Sequence, residues 1–129
     1  MAVTTINEFV AYILGTHAQI KVLVGNRIFH GNIPETITTK PVINYMIVSK
    51  PRSAVTDVYR VHYQINVRST TPAQAWLIAG YVIDCFDNYQ DTADGFDVQA
   101  GYYDNSRILT EPNNVYVVPL DIYLTYKGA

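Results

Sequence analysis

Apolar and polar residues alternate without interruption between Val58 and Arg68. The apolar set is Tyr59, Val61, Tyr63, Ile65 and Val67, and the polar set is Arg60, His62, Gln64, Asn66 and Arg68. Because successive side chains of a β-strand point to opposite faces, this pattern predicts a strand with one face in the core. The other face is expected to meet solvent or a polar contact with another subunit.

Helical spacing of apolar residues begins near the start of the chain. Thr5 and Glu8 stand three residues apart, as in a capping box, so a helix is predicted to begin here. Its apolar residues recur at helical intervals: Ile6, Phe9, Val10, Ile13 and Leu14. Gly15 is expected to end this helix in the left-handed conformation. A second, shorter helix is predicted after a similar start at Thr16 and is expected to end at Gly25.

The longest helix is predicted to follow Thr71, with Thr71 as its N-cap and Pro72 at its first position. It should run for about nineteen residues. Its buried stripe is expected to comprise Trp76, Ala79, Val82, Ile83, Phe86 and Tyr89. Trp76 is expected to pack onto the apolar face of the 58–68 strand, so that Trp76→Ala would cost roughly 3–5 kcal/mol.

The first half of the chain also predicts two strands. A short one is expected at Arg27–His30, between two glycines, and is followed by a loop over residues 31–41 that is bounded by prolines. Residues 42–49 are almost continuously apolar, which predicts a well-buried strand. Residues 50–57 form a polar connection to the alternating strand.

The last third predicts two more strands. Residues 91–95 are expected to form a turn-rich acidic loop, 97–103 a strand, and 115–126 the final strand after a further loop. The inward positions of the final strand are expected to be Tyr116, Val118, Leu120, Ile122, Leu124 and Tyr126. Pro119 lies among the outward positions, and a proline inside a strand indicates a sheet edge or a bulge.

This order of elements predicts a single α+β domain over residues 1–129. The sheet is expected to have about five strands, antiparallel with mixed pairing allowed. One long and two short helices should cover one of its faces.

Composition narrows the functional classes. Among 129 residues, 49% are apolar and 16% charged, as in a folded domain, and the formal net charge is −2. Lys and Arg form no cluster, so a dedicated nucleic-acid binder is not indicated. Cys85 is the only cysteine, which excludes an intrachain disulfide. The first residues lack the features of a signal peptide, and the apolar runs are too short to span a bilayer, so a soluble protein made in the cytosol is expected.

No motif indicates a catalytic, cofactor or metal site. The three histidines, His17, His30 and His62, have no spacing typical of metal ligands. The acidic segment of residues 87–97 lacks the ligand spacing and the final glutamate of a calcium loop, so its carboxylates are interpreted as solvated turn residues. Cys85 lies beside the buried stripe of the long helix, where a cysteine behaves as a small apolar residue. The sequence therefore favours a protein that is not an enzyme and has no cofactor.

Several segments together resemble the tail-completion, or tail terminator, proteins of long-tailed bacteriophages, a family of head–tail joining proteins. The matching segments are "HAQIKVLVGNRIFHGNIPE", "KPVINYMIV" and "VYRVHYQINVRSTTPAQAWLIAGYVIDCF". The family pattern is met by Val24-Gly25, Arg27-Ile28-Phe29, Pro34, Pro41 with its strand, Gln64-Ile65-Asn66-Val67 and Ala75. Residues 71–74 depart from it, since the usual aromatic and acidic residues are missing. The resemblance covers about residues 9–90.

The resemblance implies a structural virion protein that forms a hexameric ring at the head-proximal end of the tail tube. Such a ring terminates tail assembly and joins the tail to the head connector. The implied partners are further copies of the chain, the major tail tube protein and the connector or neck proteins. Genomic DNA would pass through the ring without sequence-specific binding, and no membrane is involved. The alternatives are another neck, head-closure or minor tail protein, or a small binding module or enzyme of unrelated kind.

Subunit contacts are expected at the two polar loops and at the strand that carries Pro119, because neighbours dock at exposed edges and long loops. The candidate interface residues are His30, Asn32, Glu35, Lys50, Arg52, Asp57 and Pro119.

Overall fold

A computed structural model describes residues 5–51, 58–87, 89, 91–93 and 96–127 of the chain. The helices are α1 (Ile6–Thr16), α2 (Ala18–Val24) and α3 (Pro72–Phe86). The strands are β1 (Ile28–His30), β2 (Val42–Ser49), β3 (Val58–Ser69), β4 (Asp91–Ala93), β5 (Phe96–Ser106), β6 (Leu109–Glu111) and β7 (Val115–Lys127).

The strands form one mixed sheet in the order β1-β2-β3-β7-β5-β4, and β6 pairs with β7 beside the end of β5. β1 runs parallel to β2, while the remaining pairs are antiparallel. The helices pack against the inner face of this sheet. The predicted α+β fold is confirmed, with two short strands that the sequence did not indicate. One of them, β4, occupies residues 91–93, where a loop was expected; residues 94 and 95 lie outside the described part of the chain.

The predicted alternation of β3 is confirmed. Its apolar row faces the helices, with Val61, Tyr63, Ile65 and Val67 fully buried, while its polar row lies on the opposite, outer face. The inward row of β7 is also confirmed: Val118, Leu120, Ile122, Leu124 and Tyr126 are fully buried and Tyr116 is partly buried. These two rows form the floor of the core. The faces to which the side chains of β3 and β7 point were therefore predicted correctly.

The first two helices meet at His17 rather than at Gly15. Thr5 caps α1 as predicted, because its Oγ1 accepts a hydrogen bond from the Glu8 N–H at 3.1 Å. The expected C-cap at Gly15 is wrong, since the helix continues to Thr16. His17 has an extended backbone, and its Nδ1 accepts a 3.4 Å hydrogen bond from the N–H of Ile20. One residue therefore ends α1 and caps α2, and α2 ends at Gly25 with φ of 63°, as predicted.

The predicted burial of Trp76 is wrong. Helix α3 begins at the predicted cap, Thr71, but is rotated so that Trp76 is 42% exposed. The buried stripe is Ala75, Ile78, Ala79, Val82, Cys85 and Phe86. The two alanines allow the helix backbone to lie close to β3 and β7, which leaves no room for an indole ring on that face. The helix has fifteen residues rather than about nineteen, because Asp87 adopts an extended backbone.

Pro119 lies in a central strand, so its predicted edge or bulge position is wrong. β7 is paired with β3 along its whole length, and Pro119 stands opposite Asn66. On the other side of β7, pairing with β5 ends at Leu120 and pairing with β6 begins at Val117. Pro119 therefore faces a gap between two partner strands. Proline has no backbone N–H to donate, and this is tolerated at the gap because no partner strand there requires the hydrogen bond, as at a sheet edge.

Arg27 connects the helices to the sheet. Its Nη2 donates a hydrogen bond to the Leu23 carbonyl at 3.2 Å, near the end of α2, and its Nε donates to the Pro41 carbonyl at 2.9 Å, before β2. The Arg27 carbonyl accepts a hydrogen bond from the N–H of Ile43. These contacts place β1 directly after the helix and beside β2. They explain why a three-residue strand is stable so close to a helix end.

Gly101 lies where β5 passes under the end of α3. A Cβ atom at this position would be 2.4 Å from the Phe86 carbonyl oxygen and 3.1 Å from the Tyr89 Cβ. Since the first of these atoms belongs to the backbone, a side chain could be accommodated only by displacing the helix end from the sheet.

The two aromatic residues of α3 provide a test of the helix phase. Phe86→Ala should lower the free energy of unfolding by about 3–5 kcal/mol, because this ring is fully buried. Trp76→Ala should lower it by about 1 kcal/mol or less, because much of the indole is in water. Urea denaturation followed by far-UV circular dichroism measures both. An equal or larger loss for the Trp76 variant would contradict the orientation of the helix.

The close contact at Gly101 gives a second test. Gly101→Ala should destabilise the domain by about 1–3 kcal/mol through overpacking. Gly80→Ala is the matched control: Gly80 lies inside α3, and nothing beyond its own helix lies within 4 Å of the place where a methyl group would stand. This change should therefore stabilise the helix by about 0.5–1 kcal/mol. Thermal unfolding of the two variants should shift the melting temperature in opposite directions. Shifts of the same sign would show that β5 does not approach α3 as described.

Candidate functional site

The described residues contain no group of three or more His, Cys, Asp or Glu side chains that could hold a metal ion. The histidines have separate roles: His17 caps α2, His30 stacks on Tyr45, and His62 contacts Asp121. Within the same residues, no helix is long and apolar enough to cross a membrane.

Cys85 lies in the core side of α3. Burial, and to a smaller extent the charge of Asp84, raises the pKa of its thiol to about 12. A thiol that is both buried and protonated is a poor nucleophile. This agrees with the interpretation of Cys85 as a packing residue.

A groove of about 750 Å³ crosses the outer face of the sheet, on the side away from the helices. We call it the outer groove. Its floor is formed by the outward side chains of β2, β3 and β7, and its walls by β6 and by the loop after β1. Its lining residues are Asn32, Ile33, Glu35, Asn44, Met46, Gln64, Asn66, Arg68, Arg107, Leu109, Glu111, Val117 and Pro119. Polar side chains predominate, so the groove suits a polar partner surface rather than an apolar ligand.

A hydrogen-bond network fixes one end of the outer groove. Asn44 donates from Nδ2 to the Gly31 carbonyl at 2.9 Å, which holds the loop after β1 against the sheet. Arg68 donates to the Oδ1 of Asn44 and, from Nε, to the Glu111 carboxylate at 3.2 Å. The network spans β2, β3 and β6. It therefore gives both walls of the groove a defined position relative to its floor.

The structure brings together three of the predicted interface residues. Asn32, Glu35 and Pro119 all line the outer groove, although they come from distant parts of the sequence. His30 is exposed beside β2, with its ring 5.2 Å from that of Tyr45. Lys50 lies elsewhere, with its Nζ 4.9 Å from the centre of the Tyr59 ring. Two further candidates, Arg52 and Asp57, lie outside the described residues.

A row of stacked rings on the outer face was not predicted. His62, Tyr123 and Tyr102 stand side by side on β3, β7 and β5, with ring centroids 4.4 and 5.0 Å apart. Arg60 donates a 3.2 Å hydrogen bond to the Tyr102 hydroxyl, and Asp121 lies 2.9 Å from the His62 Nε2. We call this set the aromatic row. Sequence alternation placed His62 and Tyr123 on outward positions, but the alignment of the three rings depends on the pairing of three strands, which the sequence did not supply.

The aromatic row presents ring edges and polar groups to its surroundings. Because the rings of His62 and Tyr102 stack on either side of Tyr123, both faces of the central Tyr123 ring are covered and do not stack on nucleobases. Loss of water contact, followed by the nearby charges of Asp104 and Asp121, raises the pKa of the Tyr123 hydroxyl above its ordinary value. Tyrosine, histidine and arginine in such an arrangement are typical of protein–protein contacts.

The helical layer also carries exposed apolar side chains. Val22 is 83% exposed, Leu77 is 50% exposed, and Trp76 lies beside Leu77 on the same helix. Val22, Leu23, Leu77 and Tyr81 line a shallow hollow between α2 and α3. Trp76 belongs to this exposed surface of the helical layer, although its size and spacing predict a core position.

Thiol chemistry tests the environment of Cys85. Alkylation by iodoacetamide at pH 8 should be slower in the folded protein than in urea-unfolded protein by about two orders of magnitude or more, because a pKa of about 12 leaves little thiolate. The rate is measured by intact-mass spectrometry. The raised pKa also implies that the thiol's contribution to stability is complete below pH 9 and is lost as the pH rises toward 12. Equal alkylation rates in the two states would contradict the burial of this residue.

Comparisons with known proteins give one informative result. No family model and no curated protein sequence matches the chain. Among solved structures, a chain from a structure described as the virion of a native gene transfer agent particle superposes with a TM-score of 0.73 over 92% of both chains, at 13% sequence identity. At this identity the likeness concerns the fold. The chain thus has the fold of a component of a phage-like virion particle.

Proposed function

We propose that this chain is a structural virion protein, the tail terminator of a phage-like particle. In this role it forms a ring at the head-proximal end of the tail tube, terminates tail assembly and joins the tail to the head connector. The observation that supports this most strongly is the fold shared with the gene transfer agent virion chain over nearly the full length of both. A structural component of this kind needs no catalytic residue.

The residues that resemble the tail terminator family support the proposal in a specific way. Arg27 of the family segment bonds to the end of α2 and to the start of β2, while Gly25 ends α2 with a positive φ. These residues build the junction between helices and sheet rather than a ligand site. A sequence pattern that encodes such a junction is expected to accompany the fold. The pattern and the structural likeness are therefore consistent with one another.

Ring formation is consistent with the size of the domain. A chain of this length has a radius of gyration of about 14 Å, equivalent to a sphere roughly 36 Å across. Six such spheres in contact leave a central opening of about 36 Å, whereas three leave about 6 Å. A DNA duplex passes through the first opening and not through the second. The net charge of −2 also suits a passage that must not bind phosphates tightly.

The surfaces available for assembly include the outer groove, the aromatic row and the exposed apolar residues of the helices. Of the predicted contact residues, Asn32, Glu35 and Pro119 belong to the outer groove. A closed ring requires two different surfaces on each subunit, because each copy contacts its two neighbours through opposite sides. The chain offers more than one distinct surface, as this arrangement demands.

Electron microscopy of particles from the producing cells tests the proposal. The reconstruction should contain six copies of the chain in a ring between the tail tube and the head connector. Deleting the chain should yield heads without tails and tails that are not completed, while resupplying the chain restores joined particles. A ring of another order, a position elsewhere in the neck or tail, or the absence of the chain from the particles would contradict the assignment to a tail terminator.

A further inference from the structure

Charged residues are distributed unevenly along the chain. Residues 21–52 contain five of the nine Lys and Arg residues and a single acid, Glu35. Residues 84–104 contain six of the eleven acids and no Lys or Arg. The net charge of −2 is therefore the sum over a chain that contains one positively charged and one negatively charged segment.

The fold places these segments at opposite edges of the sheet. The first contains β1 and β2, which begin the strand order, and the second contains β5 and β4, which end it. We call the surface formed by α2, β1 and β2 the basic edge, and the surface formed by the end of α3 with β4 and β5 the acidic edge. Five strand spacings separate the two outermost strands, or about 24 Å. At this distance the two edges of one molecule are screened from each other at physiological salt.

Exposed side chains carry the charge at both edges. On the basic edge, Lys21 is exposed and lines a hollow of about 460 Å³ beside β1, and Lys40, which is partly exposed, stands just before β2. On the acidic edge, Asp84, Asp87 and Asp104 are exposed. These charges are accessible to another molecule.

We propose that copies of this chain dock head to tail, with the basic edge of one copy against the acidic edge of the next. This inference rests on the proposed function, since it names the two surfaces through which the ring closes. The partner that binds at each edge is a second copy of the chain, because the charge of one edge is complementary to that of the other edge. A two-fold arrangement that paired identical edges would bring like charges together, so the complementarity favours a cyclic arrangement over a symmetric dimer.

The contact is made by side chains rather than by adding strands. The outermost strand of the basic edge, β1, has only three residues, so it offers few backbone groups for the addition of a strand. On β5, the N–H of Tyr103 already donates to the Asp87 carboxylate at 3.0 Å. Neither edge is therefore a free template for continuous strand pairing. A contact that relies on exposed charges is weak for a single pair of molecules and becomes stable when several such contacts close a ring.

Charge reversal tests the inference in cells that produce the particles from a deleted background. Lys21→Glu with Lys40→Glu makes the basic edge acidic, and Asp84→Lys with Asp104→Lys makes the acidic edge basic. Each pair alone should reduce joined particles by about tenfold or more, because like charges then face each other. The four changes together restore attraction with the signs exchanged and should recover most of the yield. Lys50→Glu is the control and should assemble as the unmodified chain does, because the Lys50 ammonium lies over the rings of Tyr59 and Tyr126 on the central strands β3 and β7.

Two measurements separate the outcomes. The melting temperatures of the purified variants establish that they fold, and electron microscopy counts the chain in the ring and the joined particles. The edge contact would be overturned if either double variant folds and still gives the full yield of joined particles. It would also be overturned if all variants fold and the fourfold variant does not recover that yield. If the unmodified chain forms its ring at the tail end in that case, the proposed function stands and the interface lies elsewhere, for example in the outer groove. If the unmodified chain is missing from the particles, the proposed function fails as well.

Discussion

The pairing of β3 with β7 is the interaction on which the rest of the structure depends. The two strands are hydrogen-bonded over twelve consecutive pairs, from Val58 opposite Lys127 to Ser69 opposite Tyr116. Their inward side chains form the floor on which α3 packs, and β2 and β5 extend the sheet on either side. Because a slip of one residue would turn every inward side chain outward, the apolar rows of both strands fix this register.

The same register creates the outer surface. Asn66 stands opposite Pro119, and His62 stands opposite Tyr123, so the floor of the outer groove and the start of the aromatic row both follow from it. The core and the outer surface are thus two faces of one set of strand pairs. A substitution that shifts the pairing to relieve the core would also displace the outward side chains, which couples stability to any docking on this face.

Periodicity predicted most of the fold because burial on one face imposes it on each strand and helix. The alternation of β3 and the cap at Thr71 are local signals, and both were correctly interpreted. Trp76 was placed in the core because of its size, whereas the phase of α3 is set by the close approach that Ala75 and Ala79 permit. Pro119 is tolerated in a central strand because pairing with β5 ends, and pairing with β6 begins, on either side of it. The ends of these neighbouring strands cannot be predicted from the residues around Pro119. The outer groove and the aromatic row could not be predicted for the same reason, since each joins side chains from strands that are distant in sequence.

The exposure of Trp76 has a consequence for how this protein can be observed. It is the only tryptophan among 129 residues, and it stands on the surface of the helical layer next to Leu77. An indole in contact with water emits at long wavelength, so its fluorescence changes little when the core is lost. Covering of the helical layer by another molecule would shift the emission to shorter wavelength. The intrinsic fluorescence of this chain is therefore a poor indicator of folding and a direct, label-free indicator of contact at that surface.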